Sequence, residues 1–462
     1  MTGNASQPRS LCIDPLNPCA PIGAMYAAFG VHGGLPLSHG ASGCCRFQRM
    51  ELAKHFQKTV HVPSTLLRDR AAMFGGELEV VEAVENVFRL YDPEVLVIST
   101  TCLSETIGDD MGGIADRLEV PKNKSVVWVS TPGYAGSQLA GYGATVAALI
   151  RQLGGSASSV AATSSAPAAA SARRLCLLPG WLNPCDVDVA VGYAEAFFDE
   201  VTVLPDARGV FDCKTPDDPS CYAPGGTPRT EIERVSQCSC GLALGYEATA
   251  ESACALREVA PAATVAELPL PLGITATDRM IAALVDLSGR EAPSWIVRER
   301  KQVIDCLMQV ADQLYGKRIL VCCDADQAAA AASFAVDAGM VPSCIAVGDT
   351  TAGFEDRLRS EVALPKDCAV LTGVDRQTVE EHVASNPVAL VLGDTRNKRL
   401  AAREGVALVR IGFPVVDRPL SYTEPIAGYR GALALLRRIA CALVDAGERG
   451  MAPEDLSISR YF

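Results

Sequence analysis

The strongest constraint on the fold of this chain is a repeated alternation of short apolar runs with helix-like segments. β-Branched and leucine-rich runs of strand length occur at 94–100, 125–131, 174–180, 200–205 and 240–245, with five more between 318 and 412. Strands that are apolar on both faces and alternate with helices form parallel sheets covered on both sides. The pattern therefore predicts an α/β chain with three Rossmann-like, doubly wound parallel-sheet domains.

Length and one low-complexity stretch indicate where these domains divide. The 462 residues correspond to about three domains of roughly 150 residues each. Residues 156–174 are rich in Ser and Ala and carry no charge before two final arginines, which is typical of a linker. We expect a first domain over 1–155, that linker, a second domain over 175–315 ending in a long helix, a third over 316–427, and a C-terminal helix and tail over 428–462.

Charge and hydropathy argue against two classes of protein. The chain has 41 Lys+Arg against 54 Asp+Glu, a net charge of −13, and lacks the basic face that nucleic acid requires. Its first residues show no secretory signal pattern, and no run reaches the roughly 18 consecutive apolar residues of a membrane span. We therefore expect a cytoplasmic protein that binds neither nucleic acid nor membrane and keeps its cysteines reduced.

Common nucleotide-binding and hydrolase motifs are missing from the sequence. There is no P-loop of the form GxxxxGKS or GxxxxGKT, no GxGxxG after a strand, and no GxSxG. Four of the five histidines lie within residues 32–61 and only His382 follows them, which excludes histidine-rich metal sites and histidine-based triads from most of the chain. Doubly wound domains that lack their usual nucleotide-binding motifs are expected to bind a ligand other than a nucleotide.

Cysteine is the residue type that stands out, with 18 in the chain against five histidines. Cys19 precedes a helix-like segment, Cys44 lies in a Gly-rich turn, and Cys102 directly follows the strand at 94–100. Residues just beyond the ends of parallel strands converge on one crevice. The gaps of 24 and 57 residues do not fit a zinc ribbon or a ferredoxin run but permit a cluster assembled across loops. The residues alone leave two interpretations open, cluster ligands or buried thiols that act as small hydrophobes.

Motifs spread in order along essentially the whole chain resemble the β subunit of nitrogenase component one. They are CAPIGAMYAAFGVHGGLPLSHGASGC (19–44), MFGG (73–76), TTCLSETIGDD (100–110), TPGYAGS (131–137), LPGWLNPCDV (178–187), PLGITATDRMIAAL (271–284), GFPVVDR (412–418) and GYRGAL (428–433). The resemblance implies three Rossmann-like domains and an α2β2 complex with a homologous α subunit.

The same resemblance implies a role for five residues. Cys19, Cys44 and Cys102 match the β-side ligands of the eight-iron, seven-sulfur P-cluster, which is shared with the α subunit. Ser137 matches a hydroxyl that can ligate the oxidised cluster. Phe74 matches the aromatic between the cluster and the docking surface of an ATP-hydrolysing reductase with a four-iron, four-sulfur cluster. The active-site metallocluster and substrate site are expected on the α subunit, so we expect no catalytic residue here and an electron-relay role for this chain.

The sequence differs from the family pattern at two places while the three cysteines are retained. Lys58 and Thr59 stand where those β chains have Glu-Pro, so no cation bound by that glutamate is expected at the subunit interface. Arg68 and Arg70 stand where the family has neutral or acidic residues. Divergence from the family sequence while the three cysteines are retained favours a nitrogenase-like reductase of the methylthio-alkane reductase type. Such enzymes cleave carbon–sulfur bonds of small methylthio compounds.

Three alternatives stay open on the sequence. The first is the β subunit of a molybdenum, vanadium or iron-only nitrogenase that reduces dinitrogen to ammonia. The second is a non-catalytic scaffold for cofactor assembly, but such chains usually lack the third cysteine, so Cys102 counts against it. The third is a subunit of light-independent protochlorophyllide reductase, which the motifs at 30–40 and 412–418 resemble less.

The remaining cysteines match no family role. Cys45 is expected to be a packed neighbour of Cys44, and Cys322 and Cys323 are expected to end a buried strand. A second group of four within 28 residues could hold zinc or another cluster, although its spacing fits no standard site: Cys213, Cys221, Cys238 and Cys240. The others are expected to pack in the core: Cys12, Cys176, Cys185, Cys254, Cys306, Cys344, Cys368 and Cys441.

Overall fold

A computed structural model describes residues 12–155, 173–212, 222–349, 351–449 and 451–452 of the chain. The strands are β1 Gly34–His39, β2 Val95–Thr100, β3 Ser125–Val129, β4 Arg174–Leu178, β5 Glu200–Val203, β6 Cys240–Leu244, β7 Thr264–Leu268, β8 Arg318–Cys322, β9 Val341–Ala346, β10 Ala369–Leu371, β11 Leu390–Gly393 and β12 Ala407–Arg410.

Helices alternate with these strands. They are α1 Ala20–Phe29, α2 Ser42–Phe56, α3 Asp69–Phe74, α4 Glu77–Tyr91, α5 Cys102–Ile107, α6 Met111–Ala115, α7 Gln138–Leu153, α8 Pro184–Glu195, α9 Arg229–Glu233, α10 Tyr246–Val259, α11 Gly273–Ser288, α12 Ser294–Leu314, α13 Ala325–Asp337, α14 Phe354–Glu361, α15 Arg376–Ser385, α16 Lys398–Glu404 and α17 Gly428–Glu448. Within the described ranges, none of them combines the length and the apolar character that crossing a bilayer requires.

In the described residues the strands form three sheets, and all neighbouring strands are parallel. The first sheet has the order β1-β2-β3, the second β5-β4-β6-β7 and the third β10-β9-β8-β11-β12. Strands β2, β4 and β6 are buried along their whole length, which explains their continuous apolar sequences. The predicted α/β class with several parallel-sheet domains is confirmed.

The sequence pattern does not reveal strands β1 and β7. Gly34 and Pro36 interrupt the β1 sequence, yet Pro36 aligns with Val97 of the central strand β2. Proline is tolerated there because β1 is an edge strand of its sheet. Strand β7 is also an edge strand and is only partly buried, so it lacks a continuous apolar run.

Contacts divide the chain into two compact units. The two-sheet unit, which contains the first and second sheets, consists of Pro18–Asp305 and Pro414–Ala434. The single-sheet unit, which contains the third sheet, consists of Met1–Asn17, Cys306–Phe413 and Leu435–Phe462. The division into three domains, one sheet in each, stays a prediction. Most of the predicted linker, residues 156–172, lies outside the described residues, and Arg174 begins β4.

Stacked aromatic side chains form part of the core of the two-sheet unit. The ring centroid of Phe56 lies 5.7 Å from that of Tyr26 and 4.1 Å from that of Phe211, and the rings are nearly parallel. Tyr26 belongs to α1 and Phe56 ends α2. Aromatic pairs of this kind contribute about 0.5–1.5 kcal/mol beyond their buried area. The stacking therefore fixes α1 and α2, the helices that begin at or near Cys19 and Cys44, to one core.

Candidate cluster-binding site

Contact between two helices brings Cys19 and Ser137 together. Cys19 is the N-cap of α1, Ser137 is the N-cap of α7, and their main chains form an antiparallel bridge. The helices meet backbone to backbone, because a Cβ added to Gly141 of α7 would lie 1.9 Å from the carbonyl oxygen of Ala20. Only glycine permits this approach. Two residues far apart in the sequence thus occupy adjacent places.

Cys102 lies where the sequence predicts, directly beyond a buried strand. Strand β2 ends at Thr100, and Cys102 is the first residue of α5. Its Sγ accepts a hydrogen bond from the main-chain N–H of Gly133 at 3.2 Å. Gly133 follows β3, the parallel neighbour of β2, so two adjacent strand ends supply the thiol and its donor.

Gly133 also lies between two of the thiol-bearing residues. A Cβ at this position would be 3.0 Å from Cβ of Cys19 and 3.4 Å from Sγ of Cys102. The absent side chain leaves room beside Cβ of Cys19 and Sγ of Cys102. The motif TPGYAGS contains Gly133, but its sequence gives no sign that the main chain faces a thiol.

The structure corrects the prediction that Cys44 lies in a turn. Helix α2 begins at Ser42, so Cys44 is its third residue. Gly40 and Gly43 gave the segment the composition of a turn, but Gly43 lies in the first helical turn with open space beside it. Cys44 is exposed, as is Cys102, whereas Cys19 is partly buried.

The thiols of Cys102 and Cys44 are each close enough to Cys19 to affect its pKa. Burial raises the pKa of Cys19, and the neighbouring Cys102 and Cys44 thiols raise it further. A hydrogen bond from Nε2 of Gln48 to Sγ of Cys19, at 3.9 Å, opposes this rise in pKa. Gln48 is buried and lies one helical turn after Cys44 on α2, a relation that the cysteine spacing alone does not reveal.

Helix N-termini surround the thiols. Cys19 caps the ten-residue α1, Cys44 lies in the first turn of the 15-residue α2, and Ser137 caps the 16-residue α7. The partial positive charge at such termini favours anions and thiolates. Among the described residues, no three His, Cys, Asp or Glu side chains are grouped to hold a single metal ion. The arrangement offers separated thiolate donors around an open surface.

Phe74 lies on a different segment from the thiols. It is the last residue of α3, and its side chain is 79% exposed, beside Met73 at 75%. Large apolar side chains this exposed are typical of a contact surface for another protein. Gly75 and Gly76 follow it and lead into α4.

The other cysteines follow their predictions in part. Cys45, Cys322 and Cys323 are buried as predicted. Three cysteines that were expected in the core are exposed instead: Cys254 of α10, Cys441 of α17, and Cys12, which lies outside any helix or strand. In the group of four, Cys213 and Cys221 lie outside the described residues. Burial raises the pKa of Cys238 to about 11, and Cys240 places its Sγ 3.7 Å from the carbonyl oxygen of Leu287.

Comparison with known proteins agrees with this arrangement. The sequence profile of the family described as nitrogenase component 1 type oxidoreductase matches residues 19–444. The nitrogenase molybdenum-iron protein beta chain of Clostridium pasteurianum is 31% identical over 98% of this chain and 97% of its own length. The corresponding chain of Methanococcus maripaludis is 29% identical over 95% of each. A chain in the solved structure of nitrogenase Cp1 at pH 6.5 superposes with a TM-score of 0.91 at 31% identity, covering 98% of both chains. This chain therefore belongs to the nitrogenase component 1 type oxidoreductase family, in which the two relatives named above are beta chains.

Proposed function

We propose that this chain is the β-type subunit of a component 1 oxidoreductase complex and relays electrons through half of a P-cluster bound by Cys19, Cys44 and Cys102. The observation that carries the proposal is the location of these three thiols at the starts of three helices, with Gly133 beside both Cys19 and Cys102. Family membership implies a P-cluster and further iron–sulfur chemistry in the assembled complex.

The residues present fit such a group. Cysteine thiolates are the usual ligands of iron–sulfur clusters, and hydrogen bonds to their sulfurs tune the potential. Gly133 N–H and the Gln48 amide would supply two of these hydrogen bonds. Ser137 would supply a further oxygen ligand, because its N-cap position places it beside Cys19. When bound, the cluster would store and pass on electrons at low potential.

The same proposal assigns the partners. Membership in the family implies an α subunit and a reductase. We assign the exposed side of Cys44 and Cys102 to a homologous α subunit that completes the cluster in an α2β2 assembly. Phe74 would face an ATP-hydrolysing reductase with a four-iron, four-sulfur cluster. The substrate and the active-site metallocluster would be held by the α subunit, and the reducing cytoplasm would be the location of the complex.

Two reactions of the whole complex each have an observation in their favour. The named relatives, which match nearly end to end, are nitrogenase beta chains and support reduction of dinitrogen to ammonia. The residues Lys58, Thr59, Arg68 and Arg70 depart from the family pattern in the segment between Cys44 and Cys102 and support reductive carbon–sulfur cleavage of methylthio-alkanes. This chain's relay role is the same in both.

Iron analysis of the complex tests the relay. The chain is purified anaerobically with its α partner, and iron per αβ pair is measured together with electron paramagnetic resonance of the oxidised sample. An eight-iron centre, or a pair of four-iron clusters, at the subunit interface is expected. A complex that binds neither would refute the proposal.

A side-by-side assay separates the two reactions. The complex, its reductase and ATP are incubated with dinitrogen in one vessel and with ethylmethyl sulfide in another. Methane or ethane without ammonia supports carbon–sulfur cleavage, and ammonia without hydrocarbon supports nitrogen fixation. The carbon–sulfur assay also requires a thiol product, which excludes hydrocarbon from another source.

A further inference from the structure

A buried pair of side chains lies between the segments that carry Phe74, Cys44 and Cys102. His39 ends β1 and is fully buried, and the side chain of Asp109, two residues beyond α5, is only 4% exposed. Nε2 of His39 and Oδ2 of Asp109 are 3.0 Å apart. His39 precedes the loop to Cys44, and Asp109 follows the helix that begins with Cys102.

The second oxygen of Asp109 holds the Phe74 segment. Oδ1 accepts a hydrogen bond of 2.8 Å from the main-chain N–H of Gly76, the N-cap of α4 and two residues after Phe74. The main chain lies directly against the pair, since a Cβ on Gly76 would be 2.7 Å from Oδ2 of Asp109 and 2.8 Å from Cε1 of His39. The carboxyl group therefore sets the position of the chain next to the exposed aromatic.

The other nitrogen of the imidazole ring holds the Cys44 segment. Nδ1 of His39 is 3.0 Å from Oγ1 of Thr65, which accepts a hydrogen bond of 3.2 Å from the N–H of Gly40. Burial lowers the pKa of His39 despite the opposing effect of Asp109, which favours a neutral ring. Nε2–H then donates to Asp109, and the Thr65 hydroxyl donates to Nδ1. With this assignment, each of the groups that link the Gly40 N–H to the Gly76 N–H, namely the Thr65 hydroxyl, the His39 ring and the Asp109 carboxylate, has a hydrogen-bond partner.

A third connection reaches the Cys102 helix. Ser104 of α5 donates its hydroxyl to the carbonyl oxygen of His39 at 2.9 Å. The hydroxyl oxygen of Ser104 also accepts a hydrogen bond of 2.9 Å from the N–H of Thr101, the N-cap that immediately precedes Cys102. The main chain and the side chain of His39 thus both fix α5.

We propose that the His39–Asp109 pair couples the Phe74 segment to the Cys44 and Cys102 segments, so that reductase contact at Phe74 changes how the cluster ligands are held. This inference rests on the proposed function. His39 and Asp109 are positioning residues and are not among the ligands. A buried polar network that is fully paired resists partial rearrangement, because breaking one link leaves other buried groups unpaired. Displacement of the Gly76 N–H is therefore transmitted to Gly40 and Ser104.

Hydrogen exchange tests the link without reference to the cluster. Asp109→Ala removes the link, whereas Asp110→Ala is a matched control, because Asp110 is exposed and caps only α6 through the N–H of Gly113. In the purified complex, Asp109→Ala should speed amide exchange roughly tenfold in both the 72–78 and the 40–44 segments. Asp110→Ala should leave both segments at the native rate. Faster exchange in only one segment would overturn the coupling.

Electron transfer tests the functional half of the proposal. Asp109→Ala should slow reductase-driven and ATP-dependent electron transfer into the complex roughly tenfold. Reduction by a small low-potential chelate of europium(II), which does not require docking, should keep its native rate. Equal slowing in both assays indicates a merely structural role and overturns the proposal, as does unchanged transfer in both.

Two further comparisons keep the outcome unambiguous. If Asp109→Ala fails to fold, Thr65→Val removes the hydroxyl between His39 and Gly40 at nearly constant volume and is expected to show the same split between the two reductants. Absence of iron from the purified native complex would refute the proposed function. The hydrogen-exchange measurement would still decide whether Asp109 couples the 72–78 and 40–44 segments. Asp109→Asn keeps an oxygen that can accept the hydrogen bond from the Gly76 N–H. Its reductase-driven electron transfer should therefore be faster than that of Asp109→Ala.

Discussion

Two cysteine-rich regions of this protein are built on parallel sheets and have opposite properties. The thiol site, Cys19, Cys44 and Cys102, lies beyond strands and at helix starts of the two-sheet unit, and two of its members are exposed. The buried thiols of the single-sheet unit lie within or just after its strands or pack against them: Cys322, Cys323, Cys344 and Cys368. Exposure, and not position after a strand alone, distinguishes Cys102, which follows β2, from the buried Cys323, which follows β8.

Burial explains the chemical difference. Burial raises the pKa of Cys322 and of Cys344 to about 12, and both pack among leucine and valine side chains. A thiol with such a pKa stays protonated at neutral pH and acts as a small hydrophobe. At the thiol site, Cys44 and Cys102 are exposed, and N–H groups hydrogen-bond to the sulfurs of Cys19 and Cys102, as outer-shell donors do to metal-bound thiolates.

The largest expected effect is in reaction with iodoacetamide. In the full chain prepared without iron, Cys44 and Cys102 should be modified roughly 1000-fold faster than Cys322 and Cys344, because buried thiols react only after substantial unfolding. Peptide mass spectrometry over a time course measures each rate. Denaturant should abolish the difference, and similar rates in the native chain would break the comparison.

Removal of one thiol from each region should affect electron transfer unequally. Cys102→Ala should lower reductase-driven turnover roughly 100-fold or more, beyond the 10–100-fold effect typical of losing an outer-shell partner of a metal. Cys322→Ala, the matched control from the other region, should retain native turnover per folded complex. Turnover assays normalised to intact protein check this, and native activity in Cys102→Ala would contradict the relay.

The residues that directly follow strands β2 and β8 sharpen the comparison. Asp324 is the N-cap of α13 and lies two residues after β8, as Cys102 lies two residues after β2, but Asp324 is buried where Cys102 is exposed, and its Oδ2 has no hydrogen-bond partner. Burial raises the pKa of Asp324 to about 8. Because the folded-state pKa exceeds the unfolded value of about 3.9, the neutral carboxyl contributes stability that is full below about pH 4 and is lost as pH rises through about 8.

Asp324→Asn should remove this pH dependence while keeping a good N-cap. The native chain should lose on the order of a few kcal/mol of unfolding free energy between pH 5 and pH 8, and the variant should lose much less. Denaturant midpoints at several pH values measure the difference. Asp356→Asn, at an exposed site, is the control and should keep the native slope. If the unfolding free energies of Asp324→Asn and of the native chain changed equally with pH, Asp324 would be charged in the folded protein.

The smallest expected effect is on packing. Cys344→Ala deletes one buried sulfur atom in the third sheet and should cost about 1 kcal/mol, similar to the loss of a methylene-sized group. Cys44→Ala in the iron-free chain should change stability by less than about 0.5 kcal/mol because its side chain is exposed. Thermal unfolding of both variants provides the measurement, and a larger loss for Cys44→Ala would reverse the assignment of roles.

The sequence was most informative where strands are buried on both faces. The β2 run predicts both a central strand and the position of Cys102 just beyond it, and the structure agrees. The same reasoning fails for Cys44, since two nearby glycines predict a turn while the segment begins a helix that the aromatic core holds in place. It also cannot find the contacts of Gly133 with Cys102 or of Gly76 with Asp109, because each joins segments brought together only by sheet register.

The contact between α1 and α7 has a consequence for how the site forms during synthesis. Gly141 meets Ala20 backbone to backbone, so Cys19 reaches its final place only after α7, which ends at Leu153, has left the ribosome and folded. Tyr26 of α1 in addition stacks against Phe211, with ring centroids 5.5 Å apart. The first ligand made is therefore among the last to be fixed, which leaves nascent chains with an unformed site until much of the two-sheet unit exists.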